Sequence, residues 1–329
     1  GLPVGGAKGG SDFGPKGKSD GEIMRFCQSF MTELSHHIGH FKDIPAGDIG
    51  VGAREIGYLF GRFRLIHGDY DAGALTGKGL AFNGSLVRTE ATGYGLCYLA
   101  EEMLRCQGNT SFDGKAVVIS GSGNMAIFAC EKAQALGARV VALSDSAGYI
   151  HDPEGIKLDV VKDIKLRRRG RISAYAQEVP GSSYTPGFQG IWNIPCHIAL
   201  PCATQNEIDG AMAETIVKNG AMAVAEGANM PCRPEAIEAF QKAGLLFAPA
   251  KAANAGGVAT SGLEISQNVL RAAWSFQEVD AKLKEIMVGI FHNAYDASLE
   301  CGVPGDLVVG ANVAGFRKVA DAMVSQGVI

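Results

Sequence analysis

The sequence lacks the features that mark membrane proteins and dedicated nucleic-acid binders. No apolar run approaches the roughly 18–20 residues that cross a bilayer, and residues 1–6 are not a basic leader followed by an apolar block. Neither sign of charge is in large excess, since the formal net charge is −4, whereas nucleic-acid-binding domains are strongly basic. We therefore expect neither a membrane nor a nucleic acid as partner.

Signatures of metal and nucleophile chemistry are also missing. The eight cysteines form no C-x-x-C pair and no Cys/His cluster at zinc-finger spacing, and no metal set is evident. No G-x-S-x-G or Cys–His signature competes for the chemistry. Scattered cysteines in a chain of this length, without a secretory signal, indicate reduced thiols and a cytoplasmic location.

The length, the apolar content and the high glycine content of the sequence are informative. A chain of 329 residues predicts two domains, and 47% apolar with 19% charged residues suits a soluble enzyme with a sizeable core. The 45 glycines are about twice the usual share of roughly 7%. Many stand next to Lys, Asn or Asp, which indicates backbone brought close to a ligand.

A βαβ unit is the sharpest local pattern. Residues 116–119 read as a buried strand that runs into a glycine-rich turn and a helix to Leu136, and a second strand covers 139–143 and ends at Asp145. Further strands are predicted at 198–200, 221–224 and 245–247, and helices at 21–38, 93–106, 234–243, 263–300 and over the last twenty residues. This alternation predicts an α/β fold, with a Rossmann-like, doubly wound cofactor domain and an α/β substrate domain.

The turn after the first strand carries the G-x-G-x-x-G/A fingerprint of dinucleotide sites, as Gly121, Gly123 and Ala126. The first glycine forms the turn, the second admits the pyrophosphate, and the third small residue lets helix and strand pack. The helix N-terminus then faces the phosphates with its partial positive charge. Because an acid follows 22 residues after Gly123, we favour dinucleotide binding over an ordinary strand-to-helix turn.

The residues after the second strand bear on the choice between NAD and NADP. Asp145 favours the ribose diol of NAD, whereas Ser146 and a downstream basic run could hold the 2′-phosphate of NADP. The run comprises Lys165, Arg167, Arg168, Arg169 and Arg171. A solvated helix end explains the same run equally well on spacing alone.

Two charged residues stand among glycines. Lys8 lies in GGAKGG, where a substrate can crowd the ammonium, and burial or nearby cations would suit that group to acid–base work near neutral pH. Asp48 lies in PAGDIGVG, where a carboxylate could carry protons to and from a substrate. The alternatives are a surface lysine and an Asx-turn. Beside a dinucleotide motif, the two residues together favour an oxidoreductase.

The chain resembles the hexameric glutamate dehydrogenases along its whole length. The motifs that carry the resemblance are LPVGGAKGGSDF, PAGDIGVG, LTGKGLAFNGSLVRTEATGYG, SGSGNMA, LPCATQNE, AEGANMP, KAANAGGVATSGLE and the tail ADAMVSQGVI. The resemblance implies reversible oxidative deamination of L-glutamate to 2-oxoglutarate and ammonia by a homohexamer. It also implies NADP as cofactor, with NAD kept as the alternative because of Asp145.

The resemblance also assigns roles to single residues. Lys8 and Asp48 match the family's catalytic lysine and aspartate. The positions that match substrate-binding residues are Gly47, Thr76, Arg88 and Ser261. The positions that match cofactor-binding residues are Thr92, Gly121, Gly123, Asn124, Asp145, Ser146, Lys165, Arg171, Asn229 and Asn254.

Domain bounds and rivals complete these expectations. Residues 1–83 are expected to form the remaining part of a truncated substrate domain, to which a helix at 310–329 returns, and 84–309 the dinucleotide domain. In the family, a segment with two further substrate-binding lysines precedes GGAKGG. This sequence does not contain it, so we expect these residues alone to be inactive and the full-length protein to be active.

The rival functions are a related NAD-linked dehydrogenase of the leucine or phenylalanine type and a catalytically dead nucleotide-binding paralogue. Ser261 argues against the first, and intact Lys8 and Asp48 against the second.

Overall fold

The protein is described by a computed structural model that covers residues 6, 8–48, 50–68 and 71–327. Within these residues seven strands form a sheet. The strands are β1 (Ala116–Ile119), β2 (Arg139–Asp145), β3 (Gly148–His151), β4 (Ser183–Pro186), β5 (Ile198–Leu200), β6 (Ala223–Ala225) and β7 (Leu246–Ala248).

Helices make up most of the remaining described residues. The α-helices are α1 (Asp20–Leu34), α2 (Ala53–His67), α3 (Ala91–Gly108), α4 (Asn124–Ala135), α5 (Leu158–Lys162), α6 (Tyr175–Glu178), α7 (Gly210–Lys218), α8 (Pro234–Lys242), α9 (Ala250–Ala253), α10 (Gly256–Leu270), α11 (Phe276–Glu300) and α12 (Leu307–Gln326). Short 3-10 segments lie at Ala72–Ala74, Leu80–Phe82, Ile172–Ala174 and Phe188–Asn193, and a π-helical turn, Asp163–Arg167, follows α5.

The strand order of the sheet is β4-β3-β2-β1-β5-β6-β7. The five strands from β2 to β7 in this order pair in parallel, whereas β3 and β4 add to the β2 edge as antiparallel strands. Val117, Val118 and Ile119 of β1 are fully buried, as expected of a parallel strand covered on both faces. The chain leaves β1 for β2 on one side and later places β5 on the other. The carboxyl ends of β1 and β5 therefore form a topological switch point, where sheets of this kind bind ligands. The predicted doubly wound α/β fold is confirmed.

The structure contains two strands and one break between helices that the sequence analysis does not predict. The pattern of apolar runs does not predict β3 and β4, whose residues alternate in polarity and pair antiparallel. The single helix predicted for 263–300 is wrong, because α10 and α11 are separate helices. Between them Arg271 takes a left-handed φ of 50°. Ser275 then caps α11: its Oγ accepts the Glu278 amide at 3.3 Å, and its own amide donates to the Glu278 carboxylate at 2.7 Å.

The chain divides into two compact units. The first consists of Gly1–Thr89 and Gly257–Lys282, and the second of Glu90–Gly256 and Leu283–Ile329. These bounds differ from the expected domain bounds, since α12 falls in the second unit and residues 257–282 fall in the first. The assignment of a substrate and a cofactor role to separate domains stays a prediction.

Each unit has its own apolar core. In the first unit α1 packs on α2 around Met31, Phe60 and Phe63. In the second, buried side chains of the sheet, such as Val118, pack with Phe240 of α8. Among the described residues, no helix combines the length and apolar character that a bilayer crossing requires.

Candidate cofactor and substrate sites

The glycine-rich turn after β1 is held by the neighbouring strand. Gly121 has a φ of +89°, a conformation in which a side chain is strained, and its amide donates to Ser144 Oγ at 2.8 Å. The Ser144 amide donates in return to the Gly121 carbonyl at 3.2 Å. The turn is therefore fixed by the end of β2 and does not depend on a ligand for its shape.

Gly123 has the surroundings expected of a position that a ligand approaches. It stands at the N-cap of α4 without a side-chain cap, and a Cβ atom at this residue would meet nothing within 4 Å. The amides of the first turn of α4, which begins at the exposed Asn124, are thus open to an anion. Ala126 is buried, as the third position of the fingerprint requires.

The helix before β1 packs unusually close to α4. A Cβ at Gly93 of α3 would lie 2.4 Å from the Ala129 amide nitrogen and 2.7 Å from the Met125 carbonyl oxygen. Only glycine fits there, because backbone atoms cannot yield as a flexible side chain can. Thr92, the residue before it, lies half-buried in the first turn of α3. The close contact therefore fixes the start of α3, with Thr92, against α4.

Glu207 joins the ends of β1 and β5 at the switch point. Its Oε1 accepts the Ser120 hydroxyl at 2.8 Å and the Ala203 amide at 3.2 Å. Ser120 Oγ in turn accepts the Cys202 amide at 2.9 Å. The other carboxylate oxygen of Glu207 is buried and has no hydrogen-bond partner among the described residues. Burial raises the pKa of Glu207 to about 7, so this carboxyl gains and loses its proton near neutral pH.

The carboxylate of Asp145 is occupied by the backbone. One of its oxygens accepts the Ala147 amide at 2.8 Å and the other accepts the Ile172 amide at 3.0 Å, and its side chain is only 6% exposed. Arg171 donates to Ser146 Oγ at 2.8 Å and keeps 64% of its side chain exposed. The arrangement buries the group that a ribose diol would need and presents a hydroxyl and a guanidinium to solvent.

The rest of the basic run has other partners. The Lys165 ammonium donates to the Gly170 carbonyl at 3.1 Å, which places its charge on the segment that leads into Arg171. Arg167 and Arg168 form ion pairs with Asp163, as a solvated helix end would. The structure thus brings Asp145, Ser146 and Arg171 together, while Lys165 acts on the adjoining turn.

Two asparagines predicted near the cofactor also come together. Asn229 follows β6 and Asn254 follows α9, and the Asn254 amide donates to Asn229 Oδ1 at 2.8 Å. Glu226, which the sequence reading does not single out, supports both segments. Its carboxylate accepts the Cys232 amide at 3.1 Å and the Ala250 amide at 2.7 Å, and burial raises its pKa.

Lys8 and Asp48, 40 residues apart in sequence, form an ion pair with 2.9 Å between Nζ and Oδ2. Their side chains are 68% and 44% exposed, so among the described residues Lys8 faces a carboxylate and solvent, and its catalytic role stays a prediction. Gly47 has no room for a side chain, since its Cβ would lie 2.7 Å from the Val51 carbonyl oxygen. Gly5, Ala7 and Ile49 of the two motifs lie outside the described residues.

Two hydroxyls of the first unit meet beside this loop. Thr76 and Ser261, both buried, have their oxygens 3.2 Å apart and share a hydrogen bond. The Thr76 amide donates to the Pro45 carbonyl at 3.0 Å, which ties the pair to the segment that carries Gly47 and Asp48. The Thr76 backbone is thus bonded to the loop that carries Gly47 and Asp48, and the Thr76 side chain is bonded to Ser261.

A fully buried ion pair lies next to these hydroxyls in sequence. Lys78 Nζ is 2.6 Å from Glu264 Oε1, and both side chains are 0% exposed. The same carboxylate accepts the Gly77 amide at 2.9 Å, and Lys78 also donates to the Leu75 carbonyl. Burial lowers the pKa of Lys78, and the attraction of Glu264 opposes that shift.

Arg88 lies at a strained point of the backbone. The residue before it, Val87, has a φ of 65°, which is rare for a β-branched residue and costs on the order of 1–3 kcal/mol. The Arg88 Nε is buried without a hydrogen-bond partner among the described residues. Burial lowers the pKa of this guanidinium, while the charge of Glu264 opposes the shift. Buried donors without a partner are rare in folded proteins.

Known proteins identify the chain. A family model described as Glutamate/Leucine/Phenylalanine/Valine dehydrogenase matches residues 83–327, and one described as Glu/Leu/Phe/Val dehydrogenase, dimerisation domain, matches residues 1–65. The chain belongs to the Glu/Leu/Phe/Val dehydrogenase family. It is 54% identical to the NADP-specific glutamate dehydrogenase of Helicobacter pylori strain J99 over 99% of its own length and 74% of that protein. It is 55% identical to the NADP-specific glutamate dehydrogenase of Escherichia coli K12 over 100% of its length and 73% of that protein.

Solved structures of the family agree in fold. A glutamate dehydrogenase structure matches with a TM-score of 0.96 at 48% identity, over 99% of this chain and 73% of that chain. The glutamate dehydrogenase of Plasmodium falciparum matches with a TM-score of 0.93 at 46% identity, over 97% of this chain and 68% of that chain. The resemblance to glutamate dehydrogenases seen in the sequence is confirmed.

Within this family fold, the sequence reading misses the residues that hold the predicted site residues in place. Glu207 is the last residue of LPCATQNE, and Glu264 is the last residue of KAANAGGVATSGLE. Glu226 is the second residue of AEGANMP. Each carboxylate accepts backbone amides from a segment that is distant in sequence or across a loop. The signal that could have found them is an acid inside an otherwise apolar or glycine-rich motif, since an acid buried there needs donors.

Proposed function

We propose that this chain is an NADP-dependent glutamate dehydrogenase, which converts L-glutamate and water reversibly to 2-oxoglutarate and ammonia. The observation that carries the proposal is the 55% identity to an NADP-specific glutamate dehydrogenase over the whole of the chain. Its substrates are then glutamate, 2-oxoglutarate and ammonium.

The residues of the second unit fit NADP. Gly123 leaves open space at the start of α4 for the phosphates. The carboxylate of Asp145 is already bonded to two amides, whereas Ser146 and Arg171 offer exposed donors for a 2′-phosphate. When bound, the cofactor would supply hydride transfer, from the glutamate α-carbon in one direction and back to that carbon in the other.

Lys8 and Asp48 are proposed to manage the protons and the water. The carboxylate of Asp48 is in contact with solvent and with the Lys8 ammonium, so it can accept a proton from the amino group or from the attacking water and pass it to bulk water. The Lys8 ammonium can donate a hydrogen bond to the oxygen of the 2-oxo group and so stabilise negative charge that develops there. Because both side chains are exposed, solvent screens their attraction and the pair contributes little stability.

The substrate carboxylates are proposed to be held by Thr76, Ser261 and Arg88. The Thr76 hydroxyl donates its hydrogen bond to Ser261 Oγ, so the Ser261 hydroxyl keeps its own proton to donate to a carboxylate. Arg88 supplies a buried cation with an unpaired donor. The backbone of Gly47, which lies beside Asp48, completes the predicted substrate contacts.

The reaction is tested on the full-length natural protein. NADPH and NADH oxidation are measured with 2-oxoglutarate and ammonium, and 4-methyl-2-oxopentanoate serves as the control keto acid. We expect turnover with 2-oxoglutarate and a strong preference for NADPH. Preference for the control keto acid would overturn the substrate, and absence of turnover with every pair would overturn the enzyme function.

Variants of Asp48 test its role. Asp48→Asn removes the proton acceptor and is expected to lower kcat by about 10²–10⁴-fold, with little change in the Kd for NADPH. The matched control is Asp43→Asn, which alters an exposed aspartate on the same segment. Equal losses in both variants, or an unchanged kcat in Asp48→Asn, would contradict the assignment.

Variants of Arg171 test the cofactor choice. Loss of a charge-assisted hydrogen bond costs about 1.5–3 kcal/mol, so Arg171→Ala is expected to raise the KM for NADPH by about 10- to 100-fold and to leave that for NADH nearly unchanged. Arg167→Ala, in the same basic run but paired with Asp163, is the matched control. A parallel loss with both cofactors would refute the role of Arg171.

A homohexamer in the cytoplasm is the proposed state of the full-length protein. A hetero-hexameric glutamate dehydrogenase of Thermus thermophilus matches with a TM-score of 0.86 at 25% identity. The Phe41 side chain is 95% exposed in the single chain, which suits a residue that a neighbouring subunit covers. The eight cysteines are free, which fits a reducing compartment. Sedimentation equilibrium of the full-length protein tests the assembly, and a mass other than six chains would refute it.

A further inference from the structure

Three residues with metal-binding side chains meet on the second unit, away from the glycine-rich turn in sequence. Glu102 and Cys106 lie four residues apart on α3 and therefore on one face of that helix, and His292 comes from α11. Their ligand atoms all lie within 4.8 Å of one another. The spacing of 186 residues between Cys106 and His292 explains why no sequence pattern reveals the group.

The distances suit a small divalent cation. His292 Nε2 lies 3.0 Å and Cys106 Sγ lies 3.4 Å from the same oxygen of Glu102. A tetrahedral zinc ion with bonds of about 2.0–2.3 Å separates its ligand atoms by about 3.3–3.7 Å. The distances to Glu102 therefore need to change by only a few tenths of an ångström, and the distance between sulfur and nitrogen by at most about 1 Å, to surround such an ion.

The chemistry and accessibility of the group point the same way. An imidazole nitrogen, a thiolate and a carboxylate oxygen are the ligands that zinc takes in proteins. The Glu102 side chain is 15% exposed and that of His292 is 47% exposed, so an ion can enter from solvent. Glu102 and Cys106 also line an open cavity of about 500 Å³, which gives solvent access to these two ligands.

We propose that Glu102, Cys106 and His292 form a zinc site that links α3 to α11. On binding, the Cys106 thiol releases its proton to solvent and forms a sulfur–zinc bond. His292 Nε2 and the carboxylate of Glu102 supply the other protein ligands. The Arg105 guanidinium, now 3.7 Å from the Glu102 carboxylate, is exposed and free to turn away. The site lies outside the residues assigned to the reaction, and its proposal does not depend on the proposed function.

The test measures metal binding and does not use turnover. The full-length protein is reduced, freed of metal and titrated with Zn²⁺ by equilibrium dialysis, and with Co²⁺ while the sulfur-to-cobalt charge-transfer absorption is recorded. We expect one ion per chain, a charge-transfer band, and a rise in the thermal unfolding temperature with Zn²⁺. Cys106→Ser and His292→Asn are each expected to weaken binding by at least about 10- to 100-fold, and Cys106→Ser to abolish the band.

Cys301→Ser is the matched control, because Cys301 is also an exposed free cysteine and takes no part in the group. It is expected to leave binding and the band unchanged. Absence of stoichiometric binding by the natural protein would overturn the site. Loss of the charge-transfer band in Cys301→Ser would also overturn the site. An affinity that is weakened by Cys106→Ser and not by His292→Asn would overturn it too, since a lone thiol would then hold the ion. Circular dichroism of each variant checks that it folds. Glu102→Gln tests the third ligand in the same way, and it is expected to weaken Zn²⁺ binding.

Discussion

Glu207 makes the stability of the second unit depend on pH, and the variant Glu207→Gln removes that dependence. Burial raises the pKa of this carboxyl from 4.5 to about 7 in the folded protein. In the unfolded chain the carboxyl ionises near 4.5. Between these two pH values the folded protein binds more protons than the unfolded chain, so stability falls as the pH rises. Above about pH 7 both states are ionised and the loss is constant.

The size of the effect follows from the same shift. A rise in pKa from 4.5 to about 7 corresponds to about 3 kcal/mol lost between pH 4.5 and pH 7.5. Glutamine keeps the oxygen that accepts from Ser120 and Ala203, and it cannot ionise. We therefore expect Glu207→Gln to match the natural protein near pH 5 and to be more stable by up to about 3 kcal/mol at pH 8. For a unit of this size that is a rise of about 6–12 °C in Tm.

The assay is thermal unfolding from pH 5 to pH 8.5, followed by circular dichroism, on the full-length protein and two variants. Glu214→Gln is the control, because Glu214 is exposed on α7 and its loss is expected to shift Tm equally at every pH. A difference between Glu207→Gln and the natural protein that is the same at pH 5 and pH 8 would refute the reasoning. A Tm lowered equally at all pH values would refute it as well, since the loss would then come from the glutamine nitrogen placed where Glu207 Oε2 has no partner among the described residues.

Two further pairs of variants test packing and the cofactor turn. Lys78→Met is expected to lower the free energy of unfolding by about 3–5 kcal/mol, because it leaves the Glu264 charge buried and unpaired. The double variant Lys78→Met/Glu264→Gln should recover much of this loss when both are measured by urea unfolding. Equal instability of the single and double variants would contradict the reasoning. Gly93→Ala places a Cβ 2.4 Å from the Ala129 amide nitrogen and is expected to destabilise by about 1–3 kcal/mol or more. Gly123→Ala meets nothing within 4 Å, so it should keep its Tm and raise the Kd for NADPH, measured by fluorescence titration; an unchanged Kd would argue against phosphate binding at this turn.

Local sequence patterns predict the parallel part of the sheet well and its edge poorly. Strands such as β1 are short apolar runs because both faces are covered, and this burial is visible in the composition of the strand itself. β3 and β4 are held by antiparallel pairing at the β2 edge, and a residue such as His151 carries no local sign of that pairing. The break between α10 and α11 did have a signal, since Ser275 and Glu278 form a capping box within a longer apolar pattern.

The candidate site shows the same division between local and distant information. Glycines on both sides single out Lys8 and Asp48 in the sequence, and the fold brings the two side chains into contact. The exposure of Lys8 could not be predicted, because it depends on which segments cover the loop. The partners of the acids that anchor the loops could not be assigned either, because Glu264 accepts the Gly77 amide and Glu207 accepts the Ser120 hydroxyl, both from segments far away in the sequence.

Asp145 shows how a motif residue can mislead when its partners are unknown. An acid at the end of the second strand favours NAD only if its oxygens are free to accept the ribose hydroxyls. Here the short β2–β3 turn brings the Ala147 amide to one oxygen, and the segment after the π-helical turn brings the Ile172 amide to the other. Both oxygens are thus engaged before any cofactor binds, and a diol would have to compete with two backbone hydrogen bonds. The same two bonds hold Ser146 and Arg171 next to each other at the surface. If Ser146 and Arg171 hold the 2′-phosphate as proposed, the acid serves NADP binding by stabilising the turn that presents these donors.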